Sequence, residues 1–303
     1  MKLIIKPDRK DNSDDQYRWV LSDFKMANKR LKMFNKLKVM GAVATIAVLT
    51  ASPVFASTSD DAVNFPLRAE YAVVGVKTIS TQDLASQFAK FAIVDVRSDY
   101  EYHTLHIEGA HSIPLSSPNF IGQVQSLAAK TKKPIVFYCN GTTCSKSYQA
   151  DARALEHNIK NTFVYDAGIF AWAKADPSRT TLLDVAMKSA SQLISKEKLD
   201  EHMLTPRRFY EDVMGNAHVI IIDIRDPAQR AGISLFQMRD IHVPLDNDQL
   251  KVWIDKAKAE NKPLYFVDAT GHQVQWLQYF LEEQGVRQYW FMKGGAKAFE
   301  SKM

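Results

Sequence analysis

Ala92-Ile93-Val94-Asp95-Val96-Arg97 is a short apolar run that ends in Asp-x-Arg. The run Ile220-Ile221-Ile222-Asp223-Ile224-Arg225 repeats the same pattern in the second half of the chain. Each run has the length and the β-branched content of a buried strand. Such a repeat within one chain indicates two units of similar construction.

Two further pairs of runs repeat in the same order along the chain. Pro134–Cys139 resembles Pro263–Asp268, and Phe163–Gly168 resembles Trp290–Gly295. Between the strand-like runs, apolar residues occur at helical spacing in residues 81–91, 147–157 and 276–283. Strands that alternate with helices are typical of a parallel sheet covered on both faces. We therefore predict an α/β protein of two tandem domains, each a small parallel β-sheet flanked by helices.

The basic net charge belongs to the amino-terminal part of the chain. The protein has 303 residues and a formal net charge of +5, and residues 1–40 hold eleven Lys or Arg against five Asp. The remainder is slightly acidic, so the charge indicates no nucleic-acid partner. The hydrophobic content of 46% and the charged content of 24% are those of an ordinary globular protein.

Residues 1–56 have the pattern of a leader with a secretory signal peptide. A basic stretch at residues 33–38 precedes the uncharged run Val39–Ala51. Residues 52–56 then place small residues at the −3 and −1 positions of a cut after Ala56. The apolar run is shorter than the roughly 20 residues that span a bilayer, so we predict no permanent membrane anchor. We expect translation to start at Met33 and the protein to reach the periplasm; an uncleaved anchor is the alternative.

The motifs of the first half are similar to those of rhodanese domains. Asp95–Tyr102 is followed by His106–Pro114, then by Tyr138–Gly141 and finally by Asp166–Trp172. In order and spacing these stretches resemble the family's Asp-x-Arg, Glu-Tyr, His-Ile-x-Gly-Ala, Ile-Pro, cysteine-loop and carboxy-terminal Trp elements. The resemblance covers nearly all of residues 70–177. It implies a sulfurtransferase that transfers a sulfane sulfur.

The resemblance implies that Cys139 is the catalytic nucleophile. It also implies a substrate-binding loop made of Asn140, Gly141, Thr142, Thr143, Cys144 and Ser145. A loop between a strand end and a helix start presents backbone N–H groups and the positive end of the helix dipole. Both favour a thiolate and a persulfide anion at Cys139. We expect Asp95, Arg97 and Lys146 to support this loop.

The expected partners are a small sulfur donor such as thiosulfate and a thiol or cyanide acceptor, and a protein is an alternative sulfur acceptor. The resemblance implies no cofactor. His103, His106 and His111 are spaced unlike any compact set of metal ligands, so we predict no metal site.

Cys144 stands where many thiosulfate-using members of the family have Arg. It could resolve a persulfide or a sulfenic acid on Cys139 by closing a disulfide, or it could be a small residue that begins a helix. Two alternatives to the sulfurtransferase therefore stay open. One is a thiol-redox or sulfur-relay protein that uses the Cys139/Cys144 pair, and the other is a non-catalytic binding module of the rhodanese type.

The second half has Asp268 where the first half has Cys139. A carboxylate cannot accept a sulfane sulfur, so we predict a degenerate, inactive rhodanese-like domain there. The predicted organisation is a leader (1–56), a tether (57–69), an active-type domain (70–177), a linker (178–195) and the degenerate domain (196–303).

Overall fold

The computed structural model describes residues 64–230 and 234–301. The leader of residues 1–56 and the first part of the tether lie outside these ranges, so the signal peptide and its cleavage stay predictions. Every helix within the described ranges is too short or too polar to cross a bilayer.

Residues 64–195 contain seven strands and six α-helices. The strands are β1 (Ala92–Asp95), β2 (Leu105–Ile107), β3 (His111–Ser112), β4 (Ile135–Tyr138), β5 (Thr162–Tyr165), β6 (Thr180–Leu182) and β7 (Val185–Ala186). The helices are α1 (Arg68–Ala72), α2 (Thr81–Ser86), α3 (Asp99–Thr104), α4 (Phe120–Thr131), α5 (Lys146–Glu156) and α6 (Gly168–Ala175). Short 3-10 turns occur at Phe88–Lys90, Pro177–Arg179 and Ala190–Gln192.

Four of these strands form a parallel sheet in the order β3-β1-β4-β5. In the central pair, Asp95 of β1 aligns with Tyr138 of β4, and Tyr138 aligns with Tyr165 of β5. Because parallel strands end at the same edge of a sheet, the chain leaves β1, β4 and β5 side by side. This edge is where Arg97, Cys139 and Gly168 follow their strands.

Alternate side chains of the sheet enter two apolar layers, as strand geometry requires. Ile93 and Val136 pack with Trp172 of α6 on one face. Val94 and Phe137 pack against α4 and α5 on the other face. Both faces are covered, which explains why the strands are continuous apolar runs with no alternation of polar residues.

The segment predicted as a linker, residues 178–195, contributes structure to the first half. Its strand β6 pairs antiparallel with β2, where Thr181 aligns with His106, and β7 completes a three-stranded sheet. The Nε1 of Trp172 donates to the carbonyl of Arg179 at 3.0 Å. The predicted domain boundaries themselves stay predictions.

The described residues 196–230 and 234–301 contain a second parallel sheet. Its strands are β8 (Met203–Leu204), β9 (Ile220–Asp223), β10 (Asp240–His242), β11 (Leu264–Val267) and β12 (Tyr289–Met292). Its helices are α7 (Lys196–Glu201), α8 (Pro206–Gly215), α9 (Asn247–Ala259), α10 (Val274–Glu283) and α11 (Gly295–Glu300). The order β10-β9-β11-β12-β8 repeats the first sheet and adds β8 at one edge. The fold class is therefore α/β with parallel sheets flanked by helices, as the sequence predicts.

Helix α10 of the second half packs into the core of the first half. Trp276 is 1% exposed and belongs to the same apolar cluster as Trp172. Its ring stacks on Phe170 with 5.2 Å between centroids. At the protein surface, the hydroxyl of Tyr100 donates to the Oδ1 of Asn247 at 2.9 Å. The second half thus lies beside the edge at which Arg97 and Cys139 emerge.

Candidate active site

Cys139 is the first residue after β4, and its side chain is only 1% exposed. The loop that follows ends at Ser145, which is the N-cap residue of α5. The cysteine therefore lies between the end of a central strand and the start of a helix. Cys139 also belongs to the apolar cluster that includes Ala150 of α5.

Gly168 closes the space behind the cysteine loop. It adopts a φ of +76°, and a Cβ at this position would lie 2.3 Å from the backbone nitrogen of Gly141. Only glycine permits both this backbone conformation and this approach. The next residue, Ile169, donates its amide to the carbonyl of Cys139 at 3.0 Å. The loop is consequently held against the start of α6.

Arg97 connects β1 to the cysteine loop. Its Nε lies 2.9 Å from Oδ1 of Asp95, and its Nη2 donates to the carboxylate at 2.6 Å and to the Leu105 carbonyl at 2.5 Å. Its Nη1 donates to the Oδ1 of Asn140 at 3.2 Å. Asp95 and Arg97 are both fully buried. All three guanidinium nitrogens already have protein partners, so Arg97 positions the loop and has little capacity left for a substrate anion.

Glu101 holds the other side of Asn140. Its Oε1 accepts from the Nδ2 of Asn140 at 2.9 Å, and its Oε2 closes a capping box with Ser98 at the start of α3. Burial by itself raises the pKa of Glu101. The charges of Arg97 and Lys146 and the hydrogen bonds from Asn140 and Ser98 together outweigh burial, so the pKa lies below its usual value. Glu101 is therefore ionised at neutral pH and fixes the Asn140 amide in one orientation.

The two cysteines form a disulfide, Cys139–Cys144, with 6.3 Å between their Cα atoms. This separation lies within the ordinary range for such bonds. Cys144 is partly exposed, in contrast to Cys139. Its amide donates to the carbonyl of Gly141 at 2.9 Å, which keeps the loop in a tight turn.

The loop has polar groups available to a ligand. The backbone amides of Gly141, Thr142 and Thr143 donate no hydrogen bond to any of the described residues. The Oγ of Ser145 accepts from the Nε2 of Gln149 at 3.1 Å, so this hydroxyl is partly engaged. Lys146 is exposed at the first turn of α5. The predicted loop residues thus lie around the Cys139–Cys144 disulfide. Asp95 holds Arg97, and Arg97 holds the loop through Asn140.

The second half has a similar loop with a different first residue. Asp268 follows β11, and its carboxylate accepts from the amides of Gly271 at 2.5 Å and Gln273 at 2.6 Å. Burial raises the pKa of Asp268, and these amide hydrogen bonds oppose the rise. A Cβ on Gly295 would lie 2.5 Å from the Asp268 carbonyl, which repeats the closure that Gly168 gives the first loop.

Two residues with evident roles were not singled out from the sequence. The sequence pattern Ser98-x-x-Glu101 predicts a capping box and so could have drawn attention to Glu101. In the structure the same carboxylate also accepts from Asn140. Nothing in the sequence links Trp276 to the site, although its ring centroid lies 5.0 Å from the guanidinium carbon of Arg97. Asp166 of the Trp-containing motif lies apart from the loop: it accepts from Arg68 at 2.7 Å and from the Tyr148 hydroxyl at 2.5 Å.

The histidines considered as metal ligands have other contacts. The Nδ1 of His106 donates to the Tyr102 carbonyl at 2.8 Å, and the ring of His106 stacks on that of Tyr102. Within the described ranges a different group, Asp223, Asp240 and His242, is the one that brings its possible ligand atoms within 4.8 Å of one another. Asp223 is already paired with Arg225 at 2.7 Å, so this group is an ion-pair cluster around β9 and β10.

The chain was compared with known proteins by family and by structure. No curated protein matches the chain. Among solved structures, a protein from Bacillus halodurans is 22% identical over 44% of this chain and 95% of its own, with a TM-score of 0.32. A thiosulfate sulfurtransferase from Pseudomonas aeruginosa is 18% identical over 77% of this chain and 45% of its own, with a TM-score of 0.32. A rhodanese-like domain from Anabaena is 22% identical over 37% of this chain and 84% of its own, with a TM-score of 0.31.

The model of the rhodanese-like domain family matches residues 80–175. These residues include every residue of the site from Asp95 to Gly168. This part of the chain is a rhodanese-like domain.

Proposed function

We propose that the protein is a sulfurtransferase in which Cys139 takes up a sulfane sulfur as a persulfide. The observation that carries this proposal is the position of Cys139, between the end of β4 and the start of α5 within the rhodanese-like domain. A rhodanese-like domain supports a sulfurtransferase type of activity. The donor, the acceptor and the persulfide step are our proposal.

The two half-reactions follow from the chemistry of the thiolate. With thiosulfate as the donor, the Cys139 thiolate attacks the outer sulfur, the donor's S–S bond breaks, and sulfite leaves with the bonding electrons. A thiol or cyanide then attacks the outer sulfur of the persulfide, and Cys139 leaves as a thiolate. The free amides near Thr142 and the start of α5 would stabilise the anion in both states.

The charges around the loop bear on the choice of donor. Arg97 directs its donors to Asp95, Leu105 and Asn140, and Lys146 is exposed to solvent. The dianionic thiosulfate would therefore meet one mobile cation in place of a fixed arginine fork. We propose thiosulfate as a usable donor, with an organic persulfide, whose reacting group carries a single negative charge, as the better one.

In our proposal the second half has no sulfur chemistry of its own. Asp268 replaces the nucleophile, and the amides of its loop are bound to its own carboxylate. Trp276 and Asn247 contact the first half beside Arg97 and Tyr100. We infer that the second half shapes and rigidifies the approach to Cys139.

We also propose that the leader exports the protein to the periplasm. The argument is the basic, apolar and small-residue order of residues 33–56. Fractionation of cells that express the full chain, followed by amino-terminal sequencing, tests this proposal. A mature chain in the periplasm that begins at Ser57 is expected; a chain retained in the cytoplasm or held in the membrane would contradict it.

Assays of thiosulfate with cyanide on the wild type and on Cys139→Ser test the activity. We expect thiocyanate formation by the wild type and none above background by the variant. The assay requires prior reduction, because the Cys139–Cys144 disulfide leaves no thiolate to react. Equal activity of both proteins would refute the proposal. If neither reduced protein takes up sulfur from thiosulfate or polysulfide, the non-catalytic binding module becomes the better interpretation.

A further inference from the structure

The relation between the two cysteines bears on the fate of the transferred sulfur. Cys144 lies five residues after Cys139, their Cα atoms are 6.3 Å apart, and the two sulfurs are bonded directly. The Gly141 carbonyl holds the Cys144 amide in the turn at 2.9 Å. A thiol on Cys144 is therefore already placed to reach the Cys139 sulfur without a rearrangement of the backbone.

We propose that Cys144 discharges the Cys139 persulfide as hydrosulfide by closing the Cys139–Cys144 disulfide. This inference rests on the proposed function, since it requires a persulfide on Cys139. It adds an activity to sulfur transfer, because the product is free hydrosulfide and the enzyme is left oxidised.

The step balances within the chain. The Cys144 thiol gives its proton to the outer sulfur of the persulfide, and the resulting thiolate attacks the Sγ of Cys139. A new S–S bond forms between the two side chains, and the bond from Sγ to the outer sulfur breaks. The outer sulfur leaves with the electron pair as hydrosulfide. The sulfane sulfur is reduced, and the two cysteine thiols are oxidised to the disulfide, so the step needs no external oxidant.

The unequal exposure of the two cysteines determines which sulfur an external thiol attacks when it reduces the Cys139–Cys144 disulfide. Cys139 is 1% exposed, whereas Cys144 is partly exposed. An external dithiol would therefore attack Cys144 and expel Cys139 as the leaving thiolate. The amides of Gly141, Thr142 and Thr143, which have no acceptor among the described residues, would stabilise that leaving group. The dithiol takes up the oxidation and returns the enzyme to its reduced form.

A single-turnover experiment tests the proposal on the full chain. The wild type, Cys144→Ser and Cys139→Ser are reduced, freed of reductant and mixed with thiosulfate, and sulfite, hydrosulfide and intact mass are followed. For the wild type we expect one equivalent of sulfite, then one equivalent of hydrosulfide, and a final mass lower by two hydrogen atoms. For Cys144→Ser we expect sulfite, no hydrosulfide, and a stable gain of one sulfur atom. Cys139→Ser should produce neither product.

The outcomes separate this inference from the function on which it rests. If the wild type and Cys144→Ser both retain the added sulfur and neither releases hydrosulfide, the discharge step is refuted while sulfur uptake stands. If neither the wild type nor Cys144→Ser takes up sulfur from thiosulfate or from inorganic polysulfide, the proposed function itself fails. A dithiol such as dithiothreitol should restore repeated hydrosulfide release by the wild type; for Cys144→Ser it should release hydrosulfide only by direct attack, at a rate proportional to its concentration.

Discussion

The loops after β4 and β11 have the same scaffold and a different first residue. Each follows a central parallel strand, each is closed by a glycine, and each lies beside a buried Asp–Arg pair, Asp95–Arg97 or Asp223–Arg225. In the second loop the Asp268 carboxylate accepts the amide three residues further on, that of Gly271. The corresponding amide of the first loop, that of Thr142, has no acceptor among the described residues. The second loop thus shows that this turn binds an anion, and the first loop leaves that capacity to a ligand.

The largest effect is expected when Cys139 of the first loop is replaced by aspartate, the residue that the second loop has at the same place. In Cys139→Asp we expect sulfur uptake to fall by about a thousandfold or more, because no nucleophilic sulfur remains. We also expect the variant to fold, because the carboxylate can accept the amides that Asp268 accepts in its own loop. Sulfite release and thermal unfolding, with Cys139→Ser as the matched control, measure the two effects.

An unfolded Cys139→Asp protein beside a folded Cys139→Ser protein would contradict this comparison. It would mean that the amides of the first loop do not form an anion site. Retention of sulfur uptake by Cys139→Asp would contradict the role of Cys139 as nucleophile.

The two buried arginines differ in what they hold. Arg97 reaches Asn140 in the cysteine loop, whereas Arg225 pairs with Asp223 and the exposed Glu300. Lysine keeps the charge but cannot reproduce the fork of donors. We expect Arg97→Lys and Arg225→Lys each to lower the free energy of unfolding by about 3 kcal/mol, since hydrogen bonds to buried charged groups are lost.

Their effects on activity should differ. Arg97→Lys should also slow sulfur uptake by about tenfold through misplacement of the loop, and Arg225→Lys should leave uptake unchanged. Denaturant unfolding and single-turnover sulfite release measure both quantities. Equal losses of activity in the two variants would show that Arg97 acts on stability alone.

The closing glycines provide a smaller and equally matched pair. A Cβ on Gly168 would lie 2.3 Å from the Gly141 nitrogen, and a Cβ on Gly295 would lie 2.5 Å from the Thr270 nitrogen. We expect Gly168→Ala and Gly295→Ala each to cost about 2 kcal/mol of stability, from strain at positive φ and displacement of the loop. Activity should fall in Gly168→Ala only. If Gly295→Ala lowers sulfur uptake as much as Gly168→Ala does, the loop of the second half is not independent of the loop that holds Cys139.

The sequence predicted the strands and the loop well because these depend on local composition. The run ending at Arg97 and the run ending at Cys139 are apolar enough to specify buried strands, and parallel pairing then brings their ends together. The contact of Trp276 with Arg97 could not be predicted, because it joins residues far apart in the chain through packing of the two halves. The pairing of β6 with β2 likewise depends on how residues 178–195 turn back, and no local motif specifies that turn.

One further difference between the halves concerns a buried charge on α5. Asp151, twelve residues after Cys139, is fully buried, and the position twelve residues after Asp268 is the apolar Phe280. Neither carboxylate oxygen of Asp151 has a hydrogen-bond partner among the described residues. Burial raises the pKa of Asp151 to about 6; the nearby Thr162 hydroxyl, which is not placed for a full hydrogen bond, and the charge of Lys77 offset only part of this rise. The first half therefore accepts a charge at a place where the second half has a hydrocarbon ring.

The sign of the pH effect follows from this raised pKa. The folded protein binds the proton more tightly than the unfolded chain, whose Asp pKa is about 4. The contribution of Asp151 to stability is therefore most favourable below pH 4, falls as the pH rises from about 4 to about 6, and stays reduced above that range. We expect Asp151→Asn, which has the same shape and no charge, to raise the free energy of unfolding at pH 7.5 by about 1 kcal/mol. The gain should vanish near pH 4, where Asp151 is protonated in the folded protein. Sulfur uptake should not change, because Asp151 interacts with Thr162, which begins β5 at the sheet edge opposite the cysteine loop. Denaturant unfolding of both proteins at several pH values measures the difference, and a gain that is equal at pH 4 and pH 7.5 would show that the carboxylate is not the cause.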